Sequence, residues 1–339
     1  MHSFTGSIMI QRLLALHNQQ DAVESREGKE PIAGKGTEVL RNPNKNETRC
    51  AMSKAKVYFT EEITSGAMIR MYEAAGRKLE GRIAVKIHSG EVGNQNFLRP
   101  DFMEPVIRHV NGTIVECNTA YKGKRNTTRE HIRTLKLHGW MDIARVDILD
   151  AIDQLVLPVM NGKRLRRNFV GSGMKNYDSM LVLSHFKGHP MGGFGGALKN
   201  ISIGLASSRG KAYIHGAGDL EKAWSAEQNS FLESMADAAK TIMEYYDGRI
   251  VFVNVMKNLS VDCDCCAVAE DPAMADIGIL SSLDPVALDQ ACLDLVYASK
   301  DPGREHLIER IESRNGVHTI EAAAELGVGS REYELVRLN

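Results

Sequence analysis

Short apolar runs alternate along the chain with stretches in which apolar positions recur every three to four residues, and this alternation organises everything from Lys56 onward. Runs rich in β-branched and aromatic residues predict strands near 56–60, 82–88, 113–117, 154–159, 179–184, 250–256, 275–280 and 332–337. Helical spacing predicts helices over 66–78, 101–110, 128–138, 219–246, 285–298, 303–314 and 319–326, with Gly139 and Gly327 as visible stops. Such alternation predicts an α/β fold with mainly parallel sheets and crossover helices. The long helical stretch 219–246 falls between two strand-bearing regions, so two α/β lobes are expected, 53–218 and 219–339. Ahead of them, 1–52 reads as a disordered extension: Asn18 to Glu47 is polar and poor in aromatics, with too little apolar surface to offset the entropy of ordering. Met52 directly precedes the first strand-like run and reads as a natural start for the folded protein, with the first 51 residues an upstream extension.

Composition narrows the function classes. With 339 residues and 43% hydrophobic content the chain can bury a sizeable core. A formal net charge of -1, from 42 basic and 43 acidic residues, lacks the electrostatic footprint of a general nucleic-acid binder. No apolar run approaches the roughly 20 residues needed to cross a bilayer, and the stretch Ile8–Leu16 lacks the flanks of a signal peptide. A cytoplasmic protein without membrane or nucleic-acid partners is expected, its oligomeric state undetermined.

Candidate chemistry concentrates in two places. Ser184–Asn200 follows the apolar run Ser179–Leu183 and holds five glycines with His185, Lys187, His189 and Lys199. The carboxyl end of a buried strand is where open α/β sheets bind ligands, and glycines let backbone approach them closely. His185 and His189 are acid–base candidates there, Lys187 an anion-binding one. The spacing does not fit a phosphate loop. In the second cluster, Asp262-Cys263-Asp264-Cys265-Cys266, the spacing is too tight for ordinary disulfides, and thiolates beside carboxylates suit zinc, copper(I) or iron–sulfur centres. Cys263, Cys265 and Cys266 are therefore candidate metal ligands, whereas Cys292 shares a helical stripe with Leu288, Leu295 and Val296 and reads as core. A basic group, Lys122, Lys124, Arg125, Arg129 and Arg133, occupies a strand-to-helix connection where a small anionic molecule could bind. His88 also sits at a strand end. Asp284-Pro285 reads as an N-cap followed by proline at the first helical position.

From about Lys56 to Val296 the chain resembles the uncharacterised iron–sulfur-centre protein family, domain of unknown function three-six-two. The likeness rests on Asn118–Arg125, Ser184–Lys199, Ser208-Arg209-Gly210-Lys211, Asp262–Cys265, Asp276-Ile277-Gly278 and Asp284–Ala287. It implies an iron–sulfur cluster or another transition metal as cofactor. Many members carry an inserted ferredoxin module with two sets of closely spaced cysteines, and here Asp219–Tyr246 contains none. The shorter segment His189–Gly204 resembles nickel-pincer lactate racemases. That likeness implies Lys199 as carrier of a nickel-pincer-type cofactor, His215 as nickel ligand, His189 as an acid–base histidine and Arg99 as a substrate-binding arginine. The second acid–base histidine of that family is replaced around Lys124 or Arg125.

Three functions follow as alternatives: a metal- or iron–sulfur-dependent enzyme of the oxidoreductase kind; an isomerase of the racemase or epimerase type acting on a small hydroxy or carboxylic acid; and a non-catalytic metal or cluster-binding accessory protein. The Gly-rich loop favours an enzyme, and the cysteines alone would suffice for the accessory role.

Overall fold

The computed structural model describes residues 54–339, so the expectations for 1–52 lie outside the described residues. Among the described residues there are twelve strands: β1 (Ala55–Thr60), β2 (Ile83–Lys86), β3 (Thr113–Glu116), β4 (Val146–Ile148), β5 (Gln154–Pro158), β6 (Arg167–Gly171), β7 (Ser179–His185), β8 (Lys187–His189), β9 (Gly193–Gly195), β10 (Ile250–Met256), β11 (Gly278–Ser282) and β12 (Tyr333–Arg337). The helices among the described residues are α1 (Ser65–Ala74), α2 (Pro100–His109), α3 (Thr128–Leu137), α4 (Trp140–Ile143), α5 (Ala197–Ser202), α6 (Ser208–His215), α7 (Gln228–Tyr246), α8 (Pro285–Ala298), α9 (Arg304–Ser313) and α10 (His318–Glu325).

Eight strands form one sheet in the order β12-β1-β11-β10-β7-β2-β3-β4. Every adjacent pair is parallel except those made by β11, which runs antiparallel to β1 and β10. The mainly parallel α/β architecture expected from the alternation is therefore present. The two segments expected as lobes, 53–218 and 219–339, both contribute to this sheet, since β7 pairs with β10 from Ile250↔Met180 to Val255↔His185. Hydrogen bonding between central strands, which sequence periodicity does not report, joins them.

The central strands are buried on both faces, which is why they read as continuous apolar runs. Alternate residues still divide between two cores. Met180, Val182, Ile250 and Phe252 pack under α5, α7, α8 and α10, while Leu181, Leu183, Val251 and Val253 pack under α1 and α2. Side chains seed the helix starts. Thr64 accepts from the Ala67 amide at 3.0 Å, Thr127 from Glu130 at 3.3 Å, and Asp284 from Val286 and Ala287 at 2.9 Å each. Within the helix expected over 219–246, a 3-10 turn at Leu220–Lys222 precedes α7, whose start is set by Glu227 accepting from Asn229 and Ser230. Two short hairpins, β5–β6 and β8–β9, stand outside the main sheet. Among the described residues no helix is long and apolar enough to cross a membrane.

From β2 the chain winds outward through β3 to β4, and from β7 it winds the other way to β10. The direction reverses between β2 and β7. Crevices open at such a reversal beyond the carboxyl ends of the strands, and the cleft lies there.

Candidate active site

A cavity of about 340 Å³ opens beyond the ends of β2, β3 and β7, lined by Lys86, Glu116, Ser184 and His185 from those strands. Lys86 Nζ meets Glu116 Oε2 at 2.7 Å, and Glu116 Oε1 accepts from the Ser89 amide at 2.8 Å. Burial opposes ionisation of Glu116, but the charges of Lys86, His131 and Arg125 together with the Lys86 hydrogen bond outweigh it and lower the carboxyl to about 2.

The glycine segment forms the next wall. At Gly188 a Cβ would overlap the backbone of Val261, and the Gly188 amide donates to Ser260 O at 2.8 Å. Only a residue without a side chain lets β8 lie against that segment, and the contact brings Cys263–Cys265 beside His189. Gly196 likewise leaves room for Asp289, whose carboxylate accepts from the Ala197 and Leu198 amides at 2.8 and 2.9 Å. This buried carboxylate starts α5 and so sets the position of Lys199.

The ring nitrogens distinguish the three histidines. Nδ1 of His185 lies 3.0 Å from both Asp264 carboxylate oxygens, and Nε2 lies 2.6 Å from Lys257 O. Both nitrogens face acceptors within the protein, so neither is free to serve as a base or a metal ligand. That corrects the expectation of His185 as a catalytic group: with Lys187, 3.0 Å from Asp264, it clamps the loop carrying the cysteines to the end of β7. Burial opposes the Asp264 charge, yet His185 and Lys187 hold its carboxyl well below the usual range.

Nδ1 of His189 instead accepts from the Met191 and Gly192 amides at 3.2 and 2.9 Å, so its proton sits on Nε2. Burial, then the charge of Lys199, lowers His189 to about 4. His215 has the opposite tautomer. Its Nδ1 donates to Lys211 O at 2.7 Å, leaving the Nε2 lone pair free, and its ring stacks on Phe231 with Trp224 at 4.4 Å. Burial lowers it to about 3, although the bond to Lys211 O raises it, and Lys199 again contributes. Lys199 stands near both rings, with no carboxylate at ion-pair distance among the described residues.

His189, Cys263 and Cys265 offer ligand atoms within 4.8 Å of one another, a possible metal-binding group. Cys265 Sγ is 4.0 Å from His189 Nε2, and Cys263 Sγ accepts from the Cys265 amide at 3.4 Å. The Cys263 thiol, hydrogen-bonded to Cys265 and buried, is pushed up to about 11. The two sulfurs fit a thiophilic metal. His189 does not complete the set in this tautomer, because a ligating imidazole donates its other N–H to an acceptor, whereas Nδ1 of His189 faces two donors. Cys266, Cys117 and Cys292 stand outside the group; Cys117 donates to Leu205 O, and Cys292 accepts from Asn254 within the core.

Of the remaining expected residues, Arg125, Lys187 and His215 line the cavity, as does His88. Arg125 is buried, 3.3 Å from Glu91 and 2.9 Å from Tyr121 Oη. Arg99 and Lys124 are not among the lining residues. Arg99 directly precedes α2 without a side-chain capping bond, donates to Gln95 O and lies over the Phe97 ring at 4.1 Å, while Lys124 is exposed. Sequence reasoning passed over Lys86, Glu116 and Trp224, and it named Lys211 in a family segment without giving it a role. Lys86 and Glu116 did carry a signal, a charge closing an apolar strand.

Comparison with known proteins places the chain by family. The family model "Domain of unknown function (DUF362)" matches residues 83–294. No curated protein matches. Among solved structures, the chain is similar to a lactate racemase apoprotein from Thermoanaerobacterium thermosaccharolyticum, at 12% identity and a TM-score of 0.40 over 83% of this chain and 82% of that one. It is also similar to a protein from Thermotoga maritima, at 11% identity and a TM-score of 0.40 over 77% of this chain and 58% of that one, so it spans less than two thirds of that protein's length.

Proposed function

The chain belongs to the DUF362 family, and from the geometry of its cleft we propose an enzyme that moves a proton on a small anionic molecule, an isomerase of the racemase or epimerase type acting on a hydroxy or carboxylic acid. The observation that carries this reading is a lysine without an acidic partner among the described residues, beside two neutral histidines of opposite tautomer in one cavity. His215 Nε2 has the lone pair of a general base. His189 Nε2–H is a donor fixed in the neutral form by two backbone amides, an arrangement suited to polarising a carbonyl or carboxylate oxygen. Lys199 supplies the charge that holds the acid. In the step proposed, His215 takes the proton from the carbon next to the carboxylate, the C–H electron pair moves onto the carboxylate oxygens, and Lys199 with His189 stabilises them. A water molecule then gives a proton to the opposite face, the electron pair returns to the carbon and inverts it, and the hydroxide left takes the proton from His215.

The test is to incubate the protein with single enantiomers of small hydroxy and carboxylic acids in D2O and follow the α-proton by NMR. Exchange is expected, and His215→Gln should slow it by about 10²–10⁴-fold. No exchange from any acid offered would sink the reading.

A second reading is favoured by the pair of sulfurs, Cys263 and Cys265: a transition-metal or iron–sulfur centre with redox chemistry. Metal and acid-labile sulfide would then be present in protein purified without oxygen and absent from Cys263→Ser/Cys265→Ser. Metal that survives in that variant, with a covalent mass adduct on Lys199, would instead favour a nickel-pincer-type cofactor. The anchored Nδ1 of His215 fits ligation of its metal.

A further inference from the structure

The charges around the cavity do not cancel, and the imbalance has a size. Three of its cations have carboxylates within ion-pair distance: Lys86 with Glu116 at 2.7 Å, Lys187 with Asp264 at 3.0 Å and Arg125 with Glu91 at 3.3 Å. Asp264 is further shared with His185, so its charge is fully engaged. Two lysines are left over. Lys199 has no carboxylate at ion-pair distance among the described residues. Lys211 is 7% exposed and, among the described residues, donates only to the carbonyl of Ala206, at 2.6 Å. The carboxylate with most influence on it, Asp150, is committed to the amides of Asn118 and Ser208. Lys211 is buried and Lys199 half-buried; an ammonium group held in such a site without a counter-charge is costly, and a protein retains two in one cavity where a ligand supplies the opposite charges.

We infer that the ligand of this cavity carries two anionic groups, as a short dicarboxylate or a phosphorylated acid does, one held by Lys199 and the other by Lys211. A volume of about 340 Å³ lies at the small end of ligand pockets, roughly 300–1,000 Å³, and fits a compact molecule of this kind. The inference rests on the proton-transfer reading only for the choice of cavity; it names the charge of the substrate and not the reaction.

Trp224 provides an internal reporter. It lines the cavity beside His215 and is 44% exposed, whereas Trp140, the other tryptophan, is fully buried in the core. Titration of the full chain with succinate, butyrate, (S)-malate, (S)-lactate and inorganic phosphate, read by tryptophan fluorescence and calorimetry, tests the inference. Each dicarboxylate should bind about tenfold or more tighter than the monocarboxylate of the same series. The preference should fall to near unity in Lys199→Met and in Lys211→Met, and the optical signal should vanish in Trp224→Phe while calorimetric binding remains. Equal binding of mono- and dicarboxylates by the wild type, or no binding of any of them, overturns the inference. Phosphate binding alone, lost in both lysine variants, supports the phosphorylated acid over the dicarboxylate. Dianion preference without α-proton exchange would reject the isomerase reading and leave this one standing; exchange on monocarboxylates without preference would do the reverse.

Discussion

Which ring nitrogen a histidine's neighbours engage decides what the residue can do, and in this protein the neighbours are mostly backbone groups. His185 faces acceptors on both sides, His189 two donors on Nδ1, and His215 an acceptor on Nδ1. Three histidines that look alike in the sequence are thereby a clamp, a donor and a base. His131 shows the same control away from the reacting groups. It is fully buried between Ser89 and Asn118, and burial lowers it to about 3. Its unfolded value is about 6.5. Between those values the unfolded chain binds the extra proton, so stability rises with pH and is lost as pH falls from about 6.5 toward 3. Melting temperature measured from pH 7.5 to 5 should therefore drop. In His131→Gln the drop should be shallower, from a lower starting point, and an unchanged slope would refute the assignment.

At the scale of elements, the cleft depends on backbone segments that touch because side chains are missing. Gly188 lets β8 lie on Ser260–Val261, and through that contact the Cys263–Cys265 loop meets His189, 74 residues earlier than Cys263 in the chain. In Gly188→Ala the new methyl would have to displace backbone, at a cost of about 1–3 kcal/mol. The thiol of Cys265 should then react faster with a maleimide or disulfide reagent. Wild-type stability together with wild-type thiol reactivity would show that the two segments are not held together this way. Elements of strong period were legible beforehand: the strands around 179–184 and 250–256 and the helix at 285–298, where Asp284-Pro285 caps as expected. Helix α5 was not, because its start is provided by Asp289, a side chain some 90 residues away in sequence, and the preceding glycines read as a loop. The expected helix over 219–246 shortened for a local reason, the capture of its first amides by Glu227.

Across the whole molecule, β7 and β10 are the mechanical centre: buried along their full length, paired to each other and covered by a core on either face. Their amides should exchange with solvent only on global unfolding, whereas those of the edge strands β4 and β12 should exchange through smaller openings. Hydrogen-exchange mass spectrometry that found β10 opening well before β7 would contradict a single cooperative sheet and favour two lobes meeting at residue 218.

The sequence by itself determined the α/β class, the positions of the central strands, the location of the glycine-rich loop at the end of one of them, and the kinds of groups available for chemistry. Each of these is written in local periodicity or composition, and local patterns survive without knowledge of distant contacts. Tertiary structure alone decided that one sheet spans the expected boundary, that Lys86 and Glu116 pair on the cleft floor while Arg99 and Lys124 stay outside, and that two lysines are left without counter-charges among the described residues. Those outcomes depend on pairings between residues tens to hundreds of positions apart. The chemistry of an imidazole or an ammonium is set by whichever groups the fold brings within about 3 Å of it.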